Sequence, residues 1–375
     1  MSHTSIAAQF EVVSKVVLGS KHPEDVFGDI GTGDPKATLL ETLHEVWRKM
    51  AAAISRFDPP GKNPKSKECA QRLAEWEAAA IQKINAGTWG NRRATNVVLR
   101  SKDGVYNAVE IIGKGDICKV FIGDAESTSK CGEGPIIVKV GISPINNDLV
   151  RNEDRILRHI EEKVGKVKAR QHIPYLEDAF DVQDGKVKRR VNILSIRREG
   201  KMLPTSGWYS LQQVRERYPE GLDPRDVAWM FNRLIVAAAV THDAGVVHGA
   251  IVPTHFLIHP DTHHGILIDW SYAVTSGQII KAISPGFKDF YPKEVLNKKQ
   301  PTTETDLYMA AKTTMSLLRA SDENGAKHIR QFFRGCLIEN QVMRPDSAWD
   351  LYKDFLKLIE SLYGRRKFRP FNMKP

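Results

Sequence analysis

The sequence predicts an α+β fold in which an all-helical region precedes a bilobal domain, with a small β-rich lobe, a large helical lobe and a cleft between them. Two stretches, 35–56 and 66–85, carry apolar residues at the spacing of amphipathic helices. From about residue 105 the pattern changes to short β-rich segments, and beyond Trp208 helical patterns dominate again. A strand-rich segment followed by a helix-rich one indicates two lobes.

The two N-terminal helices are separated by a loop. The first helix has one apolar face, made of Leu39, Leu43, Val46, Met50 and Ile54. The second has a face made of Leu73, Trp76, Ala80 and Ile84. Between them the chain reads FDPPGKNPKSKE, whose prolines and glycine break a helix. The segment AGTWGN, at 86–91, indicates a domain boundary.

Four β-rich segments and one helix are predicted for the middle of the chain. The segments are YNAVEIIG, CKVFIG, GPIIVKVG and RRVNILSIRR, and the helix covers about 148–162. A longer helix follows in PRDVAWMFNRLIVAAAVTHDAG, where Asp223 is expected to cap the first turn and Pro224 to begin it. Two short strands, HFLIHP and GILIDW, then flank a turn at 259–261, and more helices end the chain.

Bulk composition is that of a globular protein. Hydrophobic residues make up 41% and charged residues 27% of the 375, which is ordinary for a soluble domain. The net charge of +10 permits a polyanionic partner without requiring one. The four cysteines form no CxxC pair, and we recognise neither a secretory signal nor an apolar run of roughly 18 residues. These features predict a cytoplasmic protein that does not span a membrane.

Residues 105–360 resemble a protein kinase domain, and the motifs follow the order of that family. The segment IIGKGDICKV resembles the glycine-rich loop over the phosphates, with Gly113 and Gly115 in place and Cys118 at the third glycine position. Glycine lets the backbone approach a triphosphate and offer its N–H groups. The resemblance implies that these glycines, together with Val120, bind a nucleotide.

Three charged residues match the charged residues of the kinase cleft. Lys139 in IIVKV resembles the strand lysine, and Glu153 in RNEDRIL resembles the helix glutamate that pairs with it. Asp269 in ILIDWS matches the magnesium-binding aspartate, with Trp270 and Ser271 replacing the usual phenylalanine and glycine. A carboxylate suits Mg²⁺ because this ion prefers oxygen ligands. The resemblance implies that all three residues contribute to nucleotide binding.

Four further residues match positions that support the kinase fold. His248 matches the histidine of the catalytic loop, and Asp306 matches a buried aspartate in a helix of the large lobe. Glu294 in YPKEV and Arg344 in QVMRPDS match the glutamate and arginine that pair in the family. The resemblance implies a structural role for each.

The catalytic loop departs from the family. In HGAIVPTHFLI, Ala250 occupies the position of the catalytic aspartate, Val252 that of the lysine and His255 that of the metal-binding asparagine. A positioned general base contributes about 10²–10⁴-fold to a rate. We therefore expect a pseudokinase-type scaffold or regulator that binds ATP with Mg²⁺, or with Mn²⁺, since His255 is a second candidate ligand beside Asp269. No zinc is expected, because the histidines at 259–264 fit a polar turn.

Residues 26–85 are similar to a J domain, a helical module that engages Hsp70 chaperones. The likeness lies in the helix with EVWRKMAAAI, the loop DPPGKNPKSKE and the second helix. The tripeptide His-Pro-Asp of that family is missing, since Phe57, Asp58 and Pro59 lie at this point. A protein partner is expected to dock on this region, but stimulation of Hsp70 is not.

Two alternatives remain beside the pseudokinase hypothesis. One is an active transferase of this fold, either a slow Ser/Thr kinase or an enzyme that transfers AMP. The other is a J-like co-chaperone, or a nucleic-acid adaptor that uses KVGKVKARQH and the basic C-terminus. The predicted boundaries are 1–25 for an N-terminal extension, 26–90 for the J-like region, 91–104 for a linker, 105–205 and 206–363 for the two lobes, and 364–375 for a basic tail.

Overall fold

The chain divides into two compact units, each defined by contacts among its own residues. The computed structural model describes residues 6–20, 22–27, 36–58, 62–85, 89, 97–321, 324–365 and 367–373. One unit comprises residues 1–95 with 110–113 and 375, and the other 96–109 with 114–374. Most of the predicted boundary at 86–91 lies outside the described residues, as do residues 59–61 of the loop between the first two predicted helices.

The described residues between 6 and 85 form four helices. They are α1 (Ile6–Gly19), α2 (Pro23–Phe27), α3 (Lys36–Phe57) and α4 (Pro64–Asn85). The helices predicted from apolar spacing are confirmed as α3 and α4, because Leu43 and Leu73 lie in one buried core. The sequence did not predict α1, which contributes Val17 to the same core. The Val17 carbonyl accepts the indole N–H of Trp76 at 3.0 Å, and this hydrogen bond connects α1 to α4.

Six strands of the described range 97–321 form one antiparallel sheet. They are β1 (Val97–Arg100), β2 (Val105–Lys114), β3 (Cys118–Ala125), β4 (Gly134–Gly141), β5 (Tyr175–Asp184) and β6 (Val187–Ser195), in the order β1-β2-β3-β4-β6-β5. The four predicted segments are confirmed as β2, β3, β4 and β6. Lys139 pairs with Val120 on one side and with Asn192 on the other, so these three side chains share one face of the sheet.

The predicted helix between β4 and β5 is confirmed as α5 (Asn147–Val164). Its buried residues recur mostly at intervals of three and four; they are Asn147, Val150, Glu153, Ile156, Leu157 and Ile160. This spacing places them on one face of the helix. Glu153 is the only acidic side chain on that buried face, and it therefore needs a cationic partner.

Helices dominate the rest of the described chain. They are α6 (Lys166–Ala169), α7 (Leu211–Arg217), α8 (Pro224–His242), α9 (Lys293–Leu296), α10 (Thr303–Met315), α11 (Asn324–Cys336) and α12 (Ala348–Tyr363). The predicted cap is confirmed, since the Asp223 side chain accepts the N–H of Arg225 at the start of α8. Phe231 of α8 packs against Phe333 of α11 and Phe355 of α12. These contacts place the main core of the helical lobe among α8, α11 and α12.

Short strands complete the architecture. They are β7 (Arg197–Arg198), β8 (Lys201–Met202), β9 (Tyr209–Ser210), β10 (Val246–Val247), β11 (Phe256–His259), β12 (His264–Leu267) and β13 (Val274–Thr275). The predicted hairpin is confirmed by antiparallel pairing of β11 with β12, and β10 pairs with β13. The chain segments before Ala250 and after Asp269 are thereby held side by side. Among the described residues, no helix has the length and apolarity needed to cross a membrane.

Candidate functional site

Lys139 lies at the centre of a buried ion network. Its ammonium donates to Glu153 Oε1 at 2.8 Å and to Asp269 Oδ1 at 3.0 Å, and the residue is only 6% exposed. Burial by itself would lower the pKa of Lys139, but the charges of Asp269 and Glu153 outweigh it and raise the pKa. The ammonium is therefore charged, and the three side chains predicted to meet do meet.

Glu153 is held by three donors. Besides Lys139, the backbone N–H of Trp270 donates to Oε1 at 3.2 Å, and Asn192 Nδ2 donates to Oε2 at 3.0 Å. Asn192 is fully buried in β6 and also donates to the Val150 carbonyl at 2.9 Å. A buried carboxylate is tolerated when its lone pairs are satisfied in this way. Asn192 thus fixes the orientation of Glu153 toward the lysine.

Asp269 follows β12 in an unusual backbone conformation. Its φ of 65° and ψ of 75° lie in the left-handed region, which is uncommon for a residue other than glycine and marks functional sites. Burial would raise the pKa of the carboxyl, but the neighbouring Lys139 charge outweighs it and holds the pKa below the ordinary range. Asp269 is therefore ionised, with Oδ1 toward Lys139 and Oδ2 toward His255, whose Nε2 lies 3.4 Å away.

The loop that carries Ala250 is closed to solvent. Ala250 and Val252 are fully buried, and His255 is 9% exposed. A Cβ on Gly249 would lie 2.5 Å from Ile280 Cδ1, and Ile280 is itself only 2% exposed. The segment after Asp269 therefore covers the loop with an isoleucine side chain.

Asp306 of α10 anchors the same loop. Its Oδ2 accepts the N–H of His248 at 2.7 Å, and its Oδ1 accepts the N–H of Gly249 at 2.8 Å. His242 Nε2 lies 2.9 Å from Oδ2. Asp306 is fully buried, as the sequence predicted.

Both ring nitrogens of His248 are used in the neutral form. Nε2–H donates to the Ile268 carbonyl at 3.0 Å, and Nδ1 accepts the N–H of Ala250 at 3.2 Å. Burial lowers the pKa of His248 to about 4. The unfolded histidine takes up its proton near pH 6.5, so the stabilising contribution is complete above that pH and is lost as the pH falls through about 4.

We expect this histidine to make the protein acid-sensitive. The shift of its pKa corresponds to about 3 kcal/mol of unfolding free energy between roughly pH 7 and pH 4. Urea denaturation across this range measures it, with His248→Gln as the comparison. His172, whose pKa burial also lowers to about 4, remains in both proteins, so their difference isolates His248. Equal pH dependence in both proteins would contradict the assignment.

The predicted pair of Glu294 and Arg344 is present. Arg344 Nη1 donates to Glu294 Oε1 at 2.6 Å and Nη2 to Oε2 at 3.2 Å. Further Arg344 N–H groups donate to the carbonyls of Ile338 and Glu339 at 2.6 and 3.0 Å. The ion pair therefore joins α9 to the segment before α12 and supports the lobe away from the lysine network.

Three contacts near the site were missed by the sequence reasoning. Besides Asn192, the amide of Asn152 in α5 donates to the carbonyls of Ser271 and Ala273 at 3.0 and 2.8 Å. The Tyr272 hydroxyl donates to the Asp116 carboxylate in the glycine-rich segment. An asparagine between Val191 and Ile193 is a signal that could have been used, because an amide in an apolar strand needs a partner.

The histidines of the β11–β12 turn lie in aromatic contacts. The His263 ring stacks on Trp229 with centroids 4.0 Å apart, and His259 meets Trp208 edge-on at 5.3 Å. Within the described ranges, no group of three or more histidine, cysteine or acidic side chains is arranged to hold a metal ion. Asp269 and His255 nevertheless offer a carboxylate oxygen and an imidazole nitrogen side by side.

Comparison with known proteins supports the fold. A solved structure described as the crystal structure of the BubR1 kinase domain matches with a TM-score of 0.53 and 16% sequence identity, over 71% of this chain and 83% of that chain. No family model and no curated protein matches the sequence. At this identity the likeness concerns architecture. The chain has a protein-kinase-like fold, as the order of its motifs predicted.

Proposed function

We propose that the kinase-like part of this protein binds ATP, or another nucleoside triphosphate, and acts as a catalytically impaired scaffold or regulator. The observation that carries the proposal is the position of Lys139 between Glu153 and Asp269. An ammonium has three N–H donors, and two of them are directed at these carboxylates. The third is suited to a phosphate oxygen, so the buried ammonium of Lys139 offers a fixed positive charge to such a ligand.

The glycine-rich segment supports close approach of a phosphate. Gly113 and Gly115 do not have positive φ angles. A Cβ on Gly113 would meet no described atom within 4 Å, and one on Gly115 would only touch the Cys118 carbonyl at 3.5 Å. Packing within the described chain therefore does not require glycine at either position. A ligand that approaches the backbone would require it.

The donor set also fits a divalent cation carried by the nucleotide. Asp269 is ionised, and the His255 nitrogen faces its second oxygen. Such a cation would neutralise charge on the phosphates. We propose Mg²⁺ or Mn²⁺ for this role, with Asp269 as the main protein ligand.

The catalytic loop argues against efficient phosphoryl transfer. A methyl group at Ala250 cannot accept a hydroxyl proton, and Val252 brings no charge to the phosphates. Ile280 packs over Gly249, where the loop would have to meet an acceptor. Binding without turnover is therefore the function that these residues support best.

A thermal shift experiment tests nucleotide binding. A ligand that binds only the native state stabilises it by about 2.7 kcal/mol at a hundred times its dissociation constant. We expect the Tm of the full chain to rise with ATP concentration in the presence of Mg²⁺ or Mn²⁺. No rise at millimolar ATP with either ion would refute the proposal.

The active-transferase alternative is favoured only by the intact lysine network. Incubation with ATP labelled at the α or the γ phosphate separates the two, because a kinase moves the γ label and an AMP transferase the α label. Transfer of either label that disappears in Asp269→Ala would replace our proposal with this alternative.

Restoring the missing aspartate should not restore transfer. Ala250→Asp places a carboxylate at a fully buried position, and we expect it to lower the unfolding free energy by about 3–5 kcal/mol, as an uncompensated buried charge does. Urea denaturation and the γ-label assay measure the two effects. A stable variant that phosphorylates a general acceptor protein would show that the loop is open to substrate.

The first unit is proposed as a docking module with a J-like arrangement. The carboxylate of Asp58, in the loop after α3, accepts the N–H of Asn63 at 2.8 Å, so it is engaged in shaping that loop. A nucleic-acid adaptor is the weaker proposal. In the basic tail, Arg369 Nη1 lies 2.9 Å from Asp223 Oδ1, and Arg369 Nη2 lies 3.5 Å from Asp226 Oδ2. Phe371 of the same tail is buried. These contacts hold the tail against the start of α8.

A further inference from the structure

His255 directs one defined ring nitrogen, Nε2, toward Asp269. The residue ends a short 3-10 turn, Pro253–His255, and its Nδ1 lies 2.8 Å from the Ala250 carbonyl. A carbonyl can only accept, so Nδ1 carries the proton of this hydrogen bond. Nε2 is therefore the ring nitrogen that faces the Asp269 carboxylate, 3.4 Å from its Oδ2.

The distance between the two groups favours a shared cation over a direct hydrogen bond. A charge-assisted N–H···O bond is about 2.7–2.9 Å long, whereas Nε2 and Oδ2 are 3.4 Å apart. Two ligands that each lie about 2.0–2.2 Å from one metal ion are separated by roughly 2.9–3.5 Å, depending on the angle. The two atoms thus have the spacing of neighbouring ligands while Oδ1 stays on Lys139.

We propose that His255 makes this cleft selective for a divalent transition-metal ion over Mg²⁺. Imidazole nitrogen suits transition ions, whereas Mg²⁺ prefers oxygen. The inference rests on the proposed nucleotide binding, because the protein offers two donors here and the remaining ligands come from phosphate oxygens and water. The ion therefore enters with the nucleotide, and its class is set by residue 255.

Selectivity is measured by titrating the full chain with a non-hydrolysable ATP analogue in Mg²⁺ or in Mn²⁺. Loss of a group that only supports a ligand costs about 10–100-fold in metal affinity. We therefore expect the analogue to bind at least about tenfold more tightly with Mn²⁺, and His255→Asn, which offers an oxygen, to remove most of that preference. His328→Asn, at an exposed position of α11, is the matched control and should keep it.

Pulsed electron paramagnetic resonance of bound Mn²⁺ gives a direct second readout. Nitrogen coupling from a coordinated imidazole should appear in the unaltered chain and in His328→Asn, and disappear in His255→Asn. The nitrogen coupling of the unaltered chain is measured without any substitution. The test therefore remains valid even if His255→Asn misfolds. Tight binding with equal affinity in both ions, or Mn²⁺ without nitrogen coupling, overturns this inference alone. Failure of the analogue to bind with either ion overturns the proposed function as well.

Discussion

Replacing Lys139 with methionine is expected to abolish ATP binding and to lower the unfolding free energy by about 3–5 kcal/mol. The side chains of Lys139 and Glu153 are 8% and 0% exposed, so the substitution leaves a buried carboxylate without its cation. Removal of one partner from a buried ion pair costs more than the pair itself contributes. Binding is lost because the positive charge at the centre of the network is gone.

Urea denaturation and ATP titration measure the two effects separately. Lys119→Met, at an exposed position of the adjacent strand β3, removes the same charge and should change neither. In the double variant Lys139→Met with Glu153→Gln, part of the stability should return because the buried charge is removed, while binding stays absent. A Lys139→Met protein that binds ATP as tightly as the unaltered chain would contradict the role of this lysine.

Arg344→Ala should lower the unfolding free energy by about 3–5 kcal/mol without changing the ATP affinity of the folded protein. The side chains of Arg344 and Glu294 are 1% and 6% exposed. The substitution strands the Glu294 carboxylate and frees the carbonyls of Ile338 and Glu339. The pair does not belong to the lysine network, so the cleft should be intact in molecules that remain folded.

An exposed ion pair in the same region provides the control. Lys293 and Glu339 are 66% and 75% exposed and 2.7 Å apart, and an exposed pair of this kind contributes at most about 1 kcal/mol. Lys293→Ala should therefore change stability little. Equal losses for Arg344→Ala and Lys293→Ala would show that burial does not determine the effect.

Much of the fold could be predicted because local patterns determine it. The apolar spacing of α3 and α4, the cap at Asp223 and the hairpin of β11 and β12 each depend on neighbouring residues. Lys139, Glu153 and Asp269 are distant in sequence. Their meeting could be predicted only from the resemblance to a family with the same order of motifs.

The parts that were missed depend on long-range contacts. Strand β5 reads YLEDAFDVQD, and its acidic residues conceal the alternation that usually reveals a strand. Asn192 orients Glu153 through a hydrogen bond, and Glu153 lies in a helix 39 positions earlier in the chain. Local periodicity contains no information on such pairs. The cover that Ile280 places over Gly249 likewise appears only once the chain has folded.

The central claim is that the cleft holds a triphosphate and does not break it. Equilibrium dialysis of the full chain against ATP labelled at both the α and the γ phosphate, with Mn²⁺ or Mg²⁺ present, tests both halves in one measurement. We predict that one equivalent of ATP is retained with both labels intact, and that Lys139→Met retains none. Equal concentrations of both labels on the two sides of the membrane would show that ATP is not bound and would contradict the account. Transfer of either label to protein or water at an enzymatic rate would contradict it as well.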